Sequence, residues 1–483
     1  MKHESIPKVP TQLYLGGEWR DASDGGTFDV DNPATGEILA KVASATVEDG
    51  MKALDAAHKA FPDWAAKKPR ERGEVLRRAF ELIMQDKEEL ARLITMENGK
   101  ALPDSRAEIA YAAEFFRWSA EEAVRIIGDL YRGPSTGARI VVGHKPAGVA
   151  VLVTPWNFPA AMATRKIGPA LAAGCPVILK PASATPLTML ALMPIMEKAG
   201  VPKGVISVLP SRRSGPLVDA LLHDLRVRVL SFTGSTEVGR KLLKVAADNI
   251  VNPAMELGGN APFVVLEDAD IEAAVAGAIV AKMRNIGEAC TAANRFYVHE
   301  TVHDAFAGKL ADRMGAMKIG NGLEEGVEVG SLVNKETLDK VAELVQDAVK
   351  RGAKVLTGGG IRNGPGYFYQ PTVLVDVPDD ARCLHEEIFG PVAPIVRISG
   401  DEEAVRRCND TEYGLVAYVF TGNLKRGMAF SERLDFGMVG LNRGLVSDPA
   451  APFGGMKQSG IGREGAHHGI MEYLEPQYIS AEW

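Results

Sequence analysis

Hydrophobic residues recur at intervals of three and four positions over much of the first quarter of the chain, a spacing that predicts long amphipathic helices. We expect these helices over residues 47–60, 69–98 and 105–125. A short β-hairpin is predicted before them, over residues 13–19. From Val141 onward the pattern changes to short apolar runs that alternate with helices, which indicates a different architecture from that point.

Seven apolar runs in this second part have the length and composition of buried strands. They are residues 149–153, 177–179, 205–209, 229–232, 262–266, 295–298 and 418–420. Strands that are apolar on both faces and separated by helices are typical of a parallel sheet that is covered on both sides. The predicted fold class is therefore α/β, with two α/β units joined near residue 257.

Composition narrows the function classes without identifying one. The 483 residues suffice for two or three domains, and 46% hydrophobic with 24% charged residues is ordinary for a globular protein. The net charge of −7 and the lack of a basic run argue against a nucleic-acid partner. No apolar stretch reaches the ~18 residues that span a membrane. Four cysteines without an export signal favour a reduced, cytoplasmic setting, and the absence of metal-ligand spacing predicts no metal.

Among the cysteines, Cys290 is the strongest candidate for chemistry. It follows a glycine-containing turn at Gly287, after the apolar helical run 273–283. The thiolate is the reactive form of cysteine, and backbone N–H groups at such a turn can lower the thiol pKa. The alternative is a small buried residue, which describes most free cysteines.

Asn157 and Glu256 are candidates to assist a nucleophile. Asn157 lies between bulky aromatic residues and prolines in the segment 154–159, so its amide could be held rigidly as an oxyanion donor. Glu256 has an apolar surrounding and neighbouring glycines, which would raise its pKa and suit a general base. Each residue has an ordinary alternative, namely a loop asparagine that caps its own turn and a surface glutamate.

Further polar residues follow predicted strands at the edge where α/β sheets bind ligands. Lys180 and Ser183 come directly after one strand. The segment 232–239 closes another strand and opens a helix, which places unpaired N–H groups where a pyrophosphate is favoured. A GxGxxG match at 460–465 follows a turn-rich segment instead of a strand, so we interpret it as a chance match.

Together these segments resemble the NAD(P)-dependent aldehyde dehydrogenase superfamily. The matching segments stand in the family's order at 155–159, 180–183, 232–236, 256–259, Cys290, 387–391 and 452–455. The resemblance implies a Rossmann-type cofactor domain (1–125 and 148–256), an α/β catalytic domain (257–450) and a β oligomerisation arm (126–147 and 468–483). It also implies a homo-oligomer, either a dimer or a tetramer.

The same resemblance implies the chemistry. The Cys290 thiolate attacks the aldehyde carbon, and Asn157 with the Cys290 backbone N–H stabilises the resulting oxyanion. Hydride passes to the nicotinamide and leaves a thioester, which Glu256 hydrolyses by activating water. The residues implied to bind the cofactor are Thr154, Pro155, Trp156, Lys180, Ser183, Gly234, Ser235, Gly239, Leu257, Glu387 and Phe389.

Within the superfamily the chain is most similar to succinate-semialdehyde dehydrogenases. That resemblance assigns Arg165, Arg284 and Ser447 to a pocket for the terminal carboxylate of the substrate, which guanidinium groups can grip in bidentate fashion. Arg443 stands where a neutral or acidic residue is commoner, and a third cation would suit the sulfonate of sulfolactaldehyde as an alternative substrate. The ordinary alternative for the arginines is ion pairing within the protein.

Residue 183 bears on cofactor choice. Many NAD-specific members carry a glutamate there, which repels a 2′-phosphate, whereas Ser183 removes the repulsion and Lys180 can add an attractive charge. We therefore expect both NADP and NAD to be accepted. Two other function classes remain open. A coenzyme A-dependent acyltransferase of the same fold would not need Glu256, and a non-catalytic binding protein would not need Cys290 and Asn157.

Overall fold

The computed structural model describes residues 7–483. Numbered along the chain, its strands are β1 (Leu13–Leu15), β2 (Glu18–Arg20), β3 (Thr27–Asp31), β4 (Ile38–Ala43), β5 (Asp129–Arg132), β6 (Arg139–Pro146), β7 (Val149–Val153), β8 (Val177–Lys180), β9 (Ile206–Val208), β10 (Val227–Thr233), β11 (Asn252–Glu256), β12 (Ala261–Val265), β13 (Ala293–His299), β14 (Lys354–Thr357), β15 (Thr372–Val375), β16 (Val392–Ile398), β17 (Val416–Phe420), β18 (Met438–Leu441), β19 (Gly460–Ile461) and β20 (Leu474–Ala481). The α-helices are α1 (Val47–Ala66), α2 (Pro69–Gln85), α3 (Lys87–Asn98), α4 (Leu102–Glu122), α5 (Ala161–Ala173), α6 (Leu187–Ala199), α7 (Ser214–Leu222), α8 (Thr236–Asp248), α9 (Ile271–Met283), α10 (His303–Gly315), α11 (Lys335–Lys350), α12 (Asp401–Asn409), α13 (Leu424–Ser431) and α14 (His468–Met471).

The first sheet has the strand order β19-β11-β10-β7-β8-β9-β1-β2. Its five central strands, from β11 to β9, run parallel, and the predicted hairpin β1–β2 extends one edge in antiparallel fashion. The chain moves from β7 to β8 and β9 on one side, then returns to the other side for β10 and β11. A binding cleft is expected at such a reversal, outside the carboxyl ends of the strands.

The second sheet has the order β14-β15-β16-β13-β12-β17-β18, and only β14 runs antiparallel to its neighbour within the described residues. Strand β12 is buried along its whole length. Phe263 in this strand packs against Phe296 and Phe420, with ring centroids 5.1 and 5.0 Å apart. The apolar runs therefore belong to parallel sheets that are covered on both faces, and the predicted α/β fold class is confirmed.

A third, antiparallel sheet has the order β20-β6-β5. Strand β20 pairs with β6 over eight residues, and most of its side chains are exposed. Large apolar side chains on this sheet, including those of Leu130, Tyr131, Tyr478 and Ile479, are also exposed. The assignment of 126–147 and 468–483 to an oligomerisation arm stays a prediction, as do the boundaries of the two α/β domains.

One predicted helix is in fact two. The range 69–98 contains α2 and α3, which break at Asp86 although neither proline nor glycine stands there. Both helices pack against α4, so the apolar period continues across the break while the backbone changes direction. The single-helix prediction is therefore wrong, whereas the other two helices exist with shifted bounds. No helix within residues 7–483 combines the length and apolar character needed to cross a bilayer.

The first two residues of the GxGxxG match form β19, which pairs antiparallel with β11 so that Gly460 lies opposite Glu256. A Cβ on Gly460 would lie 2.1 Å from the carbonyl oxygen of Met255. Glycine is needed at this position because two backbones approach closely there. Sheet pairing, and not phosphate binding, accounts for this glycine, in agreement with the interpretation as a chance match.

Candidate active site

A cleft of about 710 Å³ opens at the carboxyl ends of β7, β8 and β10, and loops of the second sheet line its other side. The predicted site residues that line it are Thr154, Pro155, Trp156, Asn157, Lys180, Ser183, Gly234, Ser235, Leu257, Cys290, Glu387 and Phe389. Nine of these residues, from Thr154 to Leu257, lie at the ends of strands of the first sheet or in the segments that follow them. Cys290, Glu387 and Phe389 come from the second α/β unit. The structure therefore brings twelve predicted residues from distant parts of the chain into one cleft.

The wall built by the first sheet suits an anionic ligand with hydroxyl groups. Ser235 caps α8 by accepting a hydrogen bond from Val238 N at 3.4 Å, which places the N-terminus of that helix at the cleft. The Lys180 ammonium is buried and has no ion-pair partner within residues 7–483, and burial lowers its pKa to about 8. A buried cation without a partner is costly unless a ligand completes its contacts. These features fit the phosphates and ribose of a dinucleotide.

A loop between β15 and β16 brings Glu387 and Phe389 to the opposite wall. The N–H of Gly259 donates to Glu387 Oε1 at 3.2 Å, and burial raises the pKa of Glu387 to about 7. Phe389 meets Trp156 edge to face with ring centroids 5.5 Å apart. Its φ of +57° is uncommon for a residue other than glycine. The loop thus holds a carboxyl group against the cleft from the second sheet.

Among the residues predicted to be catalytic or to bind the cofactor, two do not line the cleft, namely Gly239 and Glu256. A Cβ on Gly239 would lie 2.5 Å from Leu257 Cδ2. Glycine therefore allows α8 to pack closely on Leu257, and contact of Gly239 with the cofactor stays a prediction. Glu256 ends β11, where Gly454 packs so closely that a Cβ there would lie 2.9 Å from Glu256 Oε1.

Cys290 follows a strained turn. Asn285 and Ile286 have φ values of +50° and +59°, a left-handed conformation that is rare for non-glycine residues and costly for β-branched isoleucine. Hydrogen bonds hold Asn285 in this conformation: its N–H donates to Asp104 Oδ2, and its side-chain amide donates to the Asn157 carbonyl, both at 2.8 Å. The turn that presents the thiol is therefore linked directly to the loop that carries Asn157.

Asn157 is itself immobilised. Its carbonyl also accepts a hydrogen bond from Lys100 Nζ at 2.7 Å, and its side-chain Nδ2 donates to the carbonyl of Glu288 at 3.1 Å. An amide nitrogen carries two N–H groups, so one orients the side chain and the other is available to an oxyanion. This arrangement agrees with the rigid amide that the sequence predicts.

The state of the Cys290 thiol differs from the expectation. Its side chain is partly exposed, whereas the other three cysteines are buried. Burial of the sulfur raises the pKa of the Cys290 thiol to about 12, although the positive charges of Arg165 and Arg284 lower it. The prediction that the turn lowers this pKa is therefore wrong for the resting chain. A neutral thiol must lose its proton to a base when it attacks.

A buried group of charges surrounds Glu256. The carboxylate of Glu464 pairs with Lys166 Nζ through one oxygen and with Arg165 Nε through the other, each at 2.5 Å. Burial raises the pKa of Glu256 well above its usual value, and the negative charge of Glu464 raises it further. Glu256 Oε2 has no hydrogen-bond partner in the described part of the chain. A carboxyl group in this state suits a general base.

The residues predicted to hold a substrate tail are in three different situations. Arg284 Nη2 donates to Thr291 Oγ1 at 3.2 Å and to Ser447 Oγ at 3.5 Å, so Arg284 and Ser447 are neighbours as predicted. Arg165 is buried, and its Nη2 has no hydrogen-bond partner among residues 7–483. Arg443 is exposed and makes no ion pair or hydrogen bond within that range, so the structure does not bring it to this group.

Sequence reasoning missed several buried groups at the site. Glu464 lies inside the GxGxxG match, and nothing in the sequence places it beside Glu256. Lys100 and Glu108 form an ion pair at 2.6 Å with both side chains fully buried. Lys100 lies between two predicted helices and Glu108 lies on the second of them, and charged residues in such places are usually solvent-exposed. Tyr111 lies within a predicted helix, and nothing in the sequence distinguishes it from an ordinary helical residue.

A dinucleotide-sized cleft beside a cysteine, an asparagine amide and a buried carboxyl group defines an oxidoreductase site of the aldehyde dehydrogenase type. A model of the aldehyde dehydrogenase family matches residues 19–479. The chain therefore belongs to the aldehyde dehydrogenase family.

Similar proteins carry semialdehyde names. The chain is 50% identical to a glutarate-semialdehyde dehydrogenase of Pseudomonas putida, over 97% of each chain. It is 51% identical to a succinate-semialdehyde dehydrogenase of Paenarthrobacter nicotinovorans, over 92% of this chain and 98% of that one. A 3-sulfolactaldehyde dehydrogenase of Pseudomonas putida is 44% identical over 97% and 96%.

Solved structures show the same fold. An NADP-dependent enzyme of E. coli superposes with a TM-score of 0.97 at 46% identity, covering 98% of each chain. A succinate-semialdehyde dehydrogenase from Burkholderia pseudomallei superposes with a TM-score of 0.96 at 47% identity, covering 100% of this chain and 99% of that one.

Proposed function

We propose that this enzyme oxidises an aldehyde with a terminal carboxylate to the dicarboxylate, using NADP or NAD. The observation that supports it most is the position of the Arg284–Ser447 pair close to the nucleophile, since Arg284 also donates a hydrogen bond to Thr291, the residue after Cys290. A guanidinium that has no ion pair within residues 7–483 and lies beside a nucleophile favours a substrate that carries its own anion. The semialdehyde names of the relatives agree with this chemistry.

In the proposed mechanism, the Cys290 sulfur loses its proton and adds to the aldehyde carbon, while the second N–H of Asn157 stabilises the oxyanion. NADP or NAD supplies the hydride acceptor when it is bound. Departure of hydride from the Cys290 adduct to that acceptor would leave a thioester on the sulfur. Glu256 then takes a proton from water as the water attacks the thioester, which releases the carboxylate and returns the Cys290 thiol. The raised pKa of Glu256 supports this role as proton acceptor.

Succinate semialdehyde is the proposed substrate, and glutarate semialdehyde, which is one methylene longer, is the second candidate. One methylene in a pocket changes discrimination by only ~10- to 200-fold, so both can be turned over. Sulfolactaldehyde is the alternative that Arg443 raised, and a relative with that name supports keeping it in the test. The exposed position of Arg443 favours the carboxylate substrates.

A panel of aldehydes with carboxylate, sulfonate and neutral tails tests the proposal by the absorbance of the reduced nicotinamide. We expect the highest kcat/KM for a carboxylate semialdehyde. Superior turnover of neutral aldehydes, or product formation only with coenzyme A, would contradict it.

Cys290→Ala should abolish oxidation and keep cofactor binding, whereas the control Cys408→Ala, at a buried site on α12, should stay active. Glu256→Gln should release a burst of reduced cofactor followed by slow turnover.

We also propose that the sheet β20-β6-β5 joins subunits into a homo-oligomer. Its exposed apolar side chains and the exposed face of β20 support this assignment. Apolar side chains clustered on one exposed surface commonly mark an interface.

A further inference from the structure

Two buried hydrogen-bond donors near the proposed tail pocket have no partner within residues 7–483. They are the Tyr111 hydroxyl on α4 and Nη2 of Arg165 on α5. The two helices pack against each other, and both side chains contact the Phe115 ring. The ring of Tyr111 lies 4.8 Å from that of Phe115, and the Arg165 guanidinium lies 5.3 Å from it. Both unpaired donors therefore belong to side chains that pack against the same aromatic ring.

An unpaired buried hydroxyl is a cost that a phenylalanine would avoid, because Phe would keep the ring contact and remove the polar atom. Such a group in a folded protein therefore asks for an explanation. The neighbouring Arg165 cannot be the partner of the Tyr111 hydroxyl, because Nη2 is itself a donor and cannot accept a hydrogen bond. Both donors need an acceptor, and a carboxylate oxygen is the acceptor that suits a hydroxyl and a guanidinium together.

The charges around Tyr111 point to the same kind of acceptor. Burial raises the pKa of its phenol, so the group keeps its proton, while the positive charges of Arg165 and Arg284 lower that pKa. The Ser447 hydroxyl lowers that pKa too, because it is placed to donate a hydrogen bond to the phenol oxygen, and this leaves the phenol O–H itself without an acceptor. Arg284 and Ser447 are the proposed tail residues that contact each other. The phenol therefore stands as a neutral donor in a positive environment, next to the group proposed to bind the anion.

We propose that the Tyr111 hydroxyl donates a hydrogen bond to the terminal carboxylate of the substrate and so selects charged over neutral aldehydes. This inference rests on the proposed function, because it assigns a further contact within the same tail pocket. Arg284 supplies the charge, and Tyr111 supplies a donor whose direction is fixed by its packing on Phe115. The hydroxyl then has the acceptor that the chain itself does not provide.

Tyr111→Phe removes one oxygen and tests the inference directly. We expect the KM for succinate semialdehyde to rise by about 10-fold or more, the loss typical of a hydrogen bond to a charged group. The KM for butanal, a neutral aldehyde of the same length, should stay within about twofold. Tyr369→Phe, at a buried tyrosine in the second unit, is the matched control and should change neither value.

A binding readout separates recognition from general damage. Succinate should raise the melting temperature of the wild-type protein, and this shift should shrink in Tyr111→Phe while the melting temperature without ligand stays equal or rises. Equal KM changes for both aldehydes, or an unchanged succinate shift, would overturn the inference.

Arg284→Ala in the same assays distinguishes the role of Tyr111 from the proposed function. If Arg284→Ala discriminates between the aldehydes and Tyr111→Phe does not, only the role of Tyr111 fails. If neither discriminates, the anionic-tail function fails.

Discussion

Two neighbouring arginines after β9 face different surroundings. Arg212 lines the cleft that also contains Lys180 and Ser183, whereas Arg213 lines only a separate cavity of about 360 Å³ beside Ser44. Arg212 also lies over the ring of Phe28, with its guanidinium 5.6 Å from the ring centroid. One arginine can therefore meet a ligand in the cleft, and its neighbour serves as a natural control.

We predict that Arg212→Ala raises the KM for NADP by about 10-fold and changes the KM for NAD much less, since only NADP carries the 2′-phosphate. Arg213→Ala should affect the two cofactors alike. Ser183→Glu should shift preference toward NAD by adding repulsion. Side-by-side steady-state kinetics with both cofactors measure this, and parallel losses in Arg212→Ala would contradict the assignment.

The raised pKa of Cys290 predicts a steep dependence of thiol reactivity on pH. Because the pKa is about 12, the thiolate fraction rises throughout the working range. Iodoacetamide should therefore modify the cofactor-free enzyme ~10-fold faster for each added pH unit, without a plateau between roughly pH 6 and 10. Mass spectrometry of the alkylated peptide measures the rate, and Cys290→Ala should abolish this modification. A plateau near neutrality would indicate a thiolate instead.

At the scale of single residues, the sequence suggests which groups react but not their protonation state. Cys290 and Asn157 stand in short motifs whose local context indicates their chemistry. The pKa of the thiol depends on burial and on charges such as Arg165, which lie far away in the sequence. Local spacing carries no information about that burial, so the expected direction of the shift was wrong.

Helix α4 organises the site from behind. Asp104, Glu108, Tyr111 and Phe115 are spaced four, three and four residues apart, which places them on one face of the helix. Asp104 holds the turn before the nucleophile, and Glu108 accepts hydrogen bonds from Ala160 N and from Lys100. One helix face thus contacts the turn before Cys290, the start of α5 and the proposed tail pocket.

Breaking the buried pair on this helix should be costly. Glu108→Gln leaves the Lys100 ammonium buried without its counter-ion, and loss of one partner of a buried pair typically costs about 3–5 kcal/mol. Arg106→Gln on the same helix, which breaks an exposed pair with Glu88 of α3, should cost at most about 1 kcal/mol. Denaturant unfolding of both variants measures the difference. Equal small losses would show that the pair contributes little.

The elements themselves were more predictable than their partners. The sequence pattern located four parallel strands of the first sheet, three strands of the second and the helix over 105–125, because burial leaves a recognisable pattern of apolar residues. It could not locate the break at Asp86, since the repeat continues across it. Nor could it show that the polar positions Asp104 and Glu108 face inward, because their partners lie on other elements.

At the scale of the whole molecule, the exposed sheet β20-β6-β5 predicts assembly. Ile479→Glu should reduce the molecular mass in sedimentation equilibrium, because a charge on an exposed apolar strand opposes its burial in an interface. Val349→Glu replaces an exposed apolar residue on α11 and should leave the mass unchanged. An unchanged mass in Ile479→Glu, or a monomeric wild type, would count against the arm.

The pairing of β19 with β11 has a consequence for the order in which the protein is made. Ribosomes deliver the chain from its N-terminus, so the strands of the first sheet up to β11 and the nucleophile Cys290 emerge long before Glu464. Until then Lys166 lacks its counter-ion, and the edge of β11 next to Glu256 is unpaired. A truncated product that ends before β19 would contain the Cys290 thiol, but Glu256 would lack the neighbouring strand and the Glu464 charge that it has in the complete protein. Unfinished chains should therefore be inert towards aldehydes, and activity should arise only at the end of synthesis.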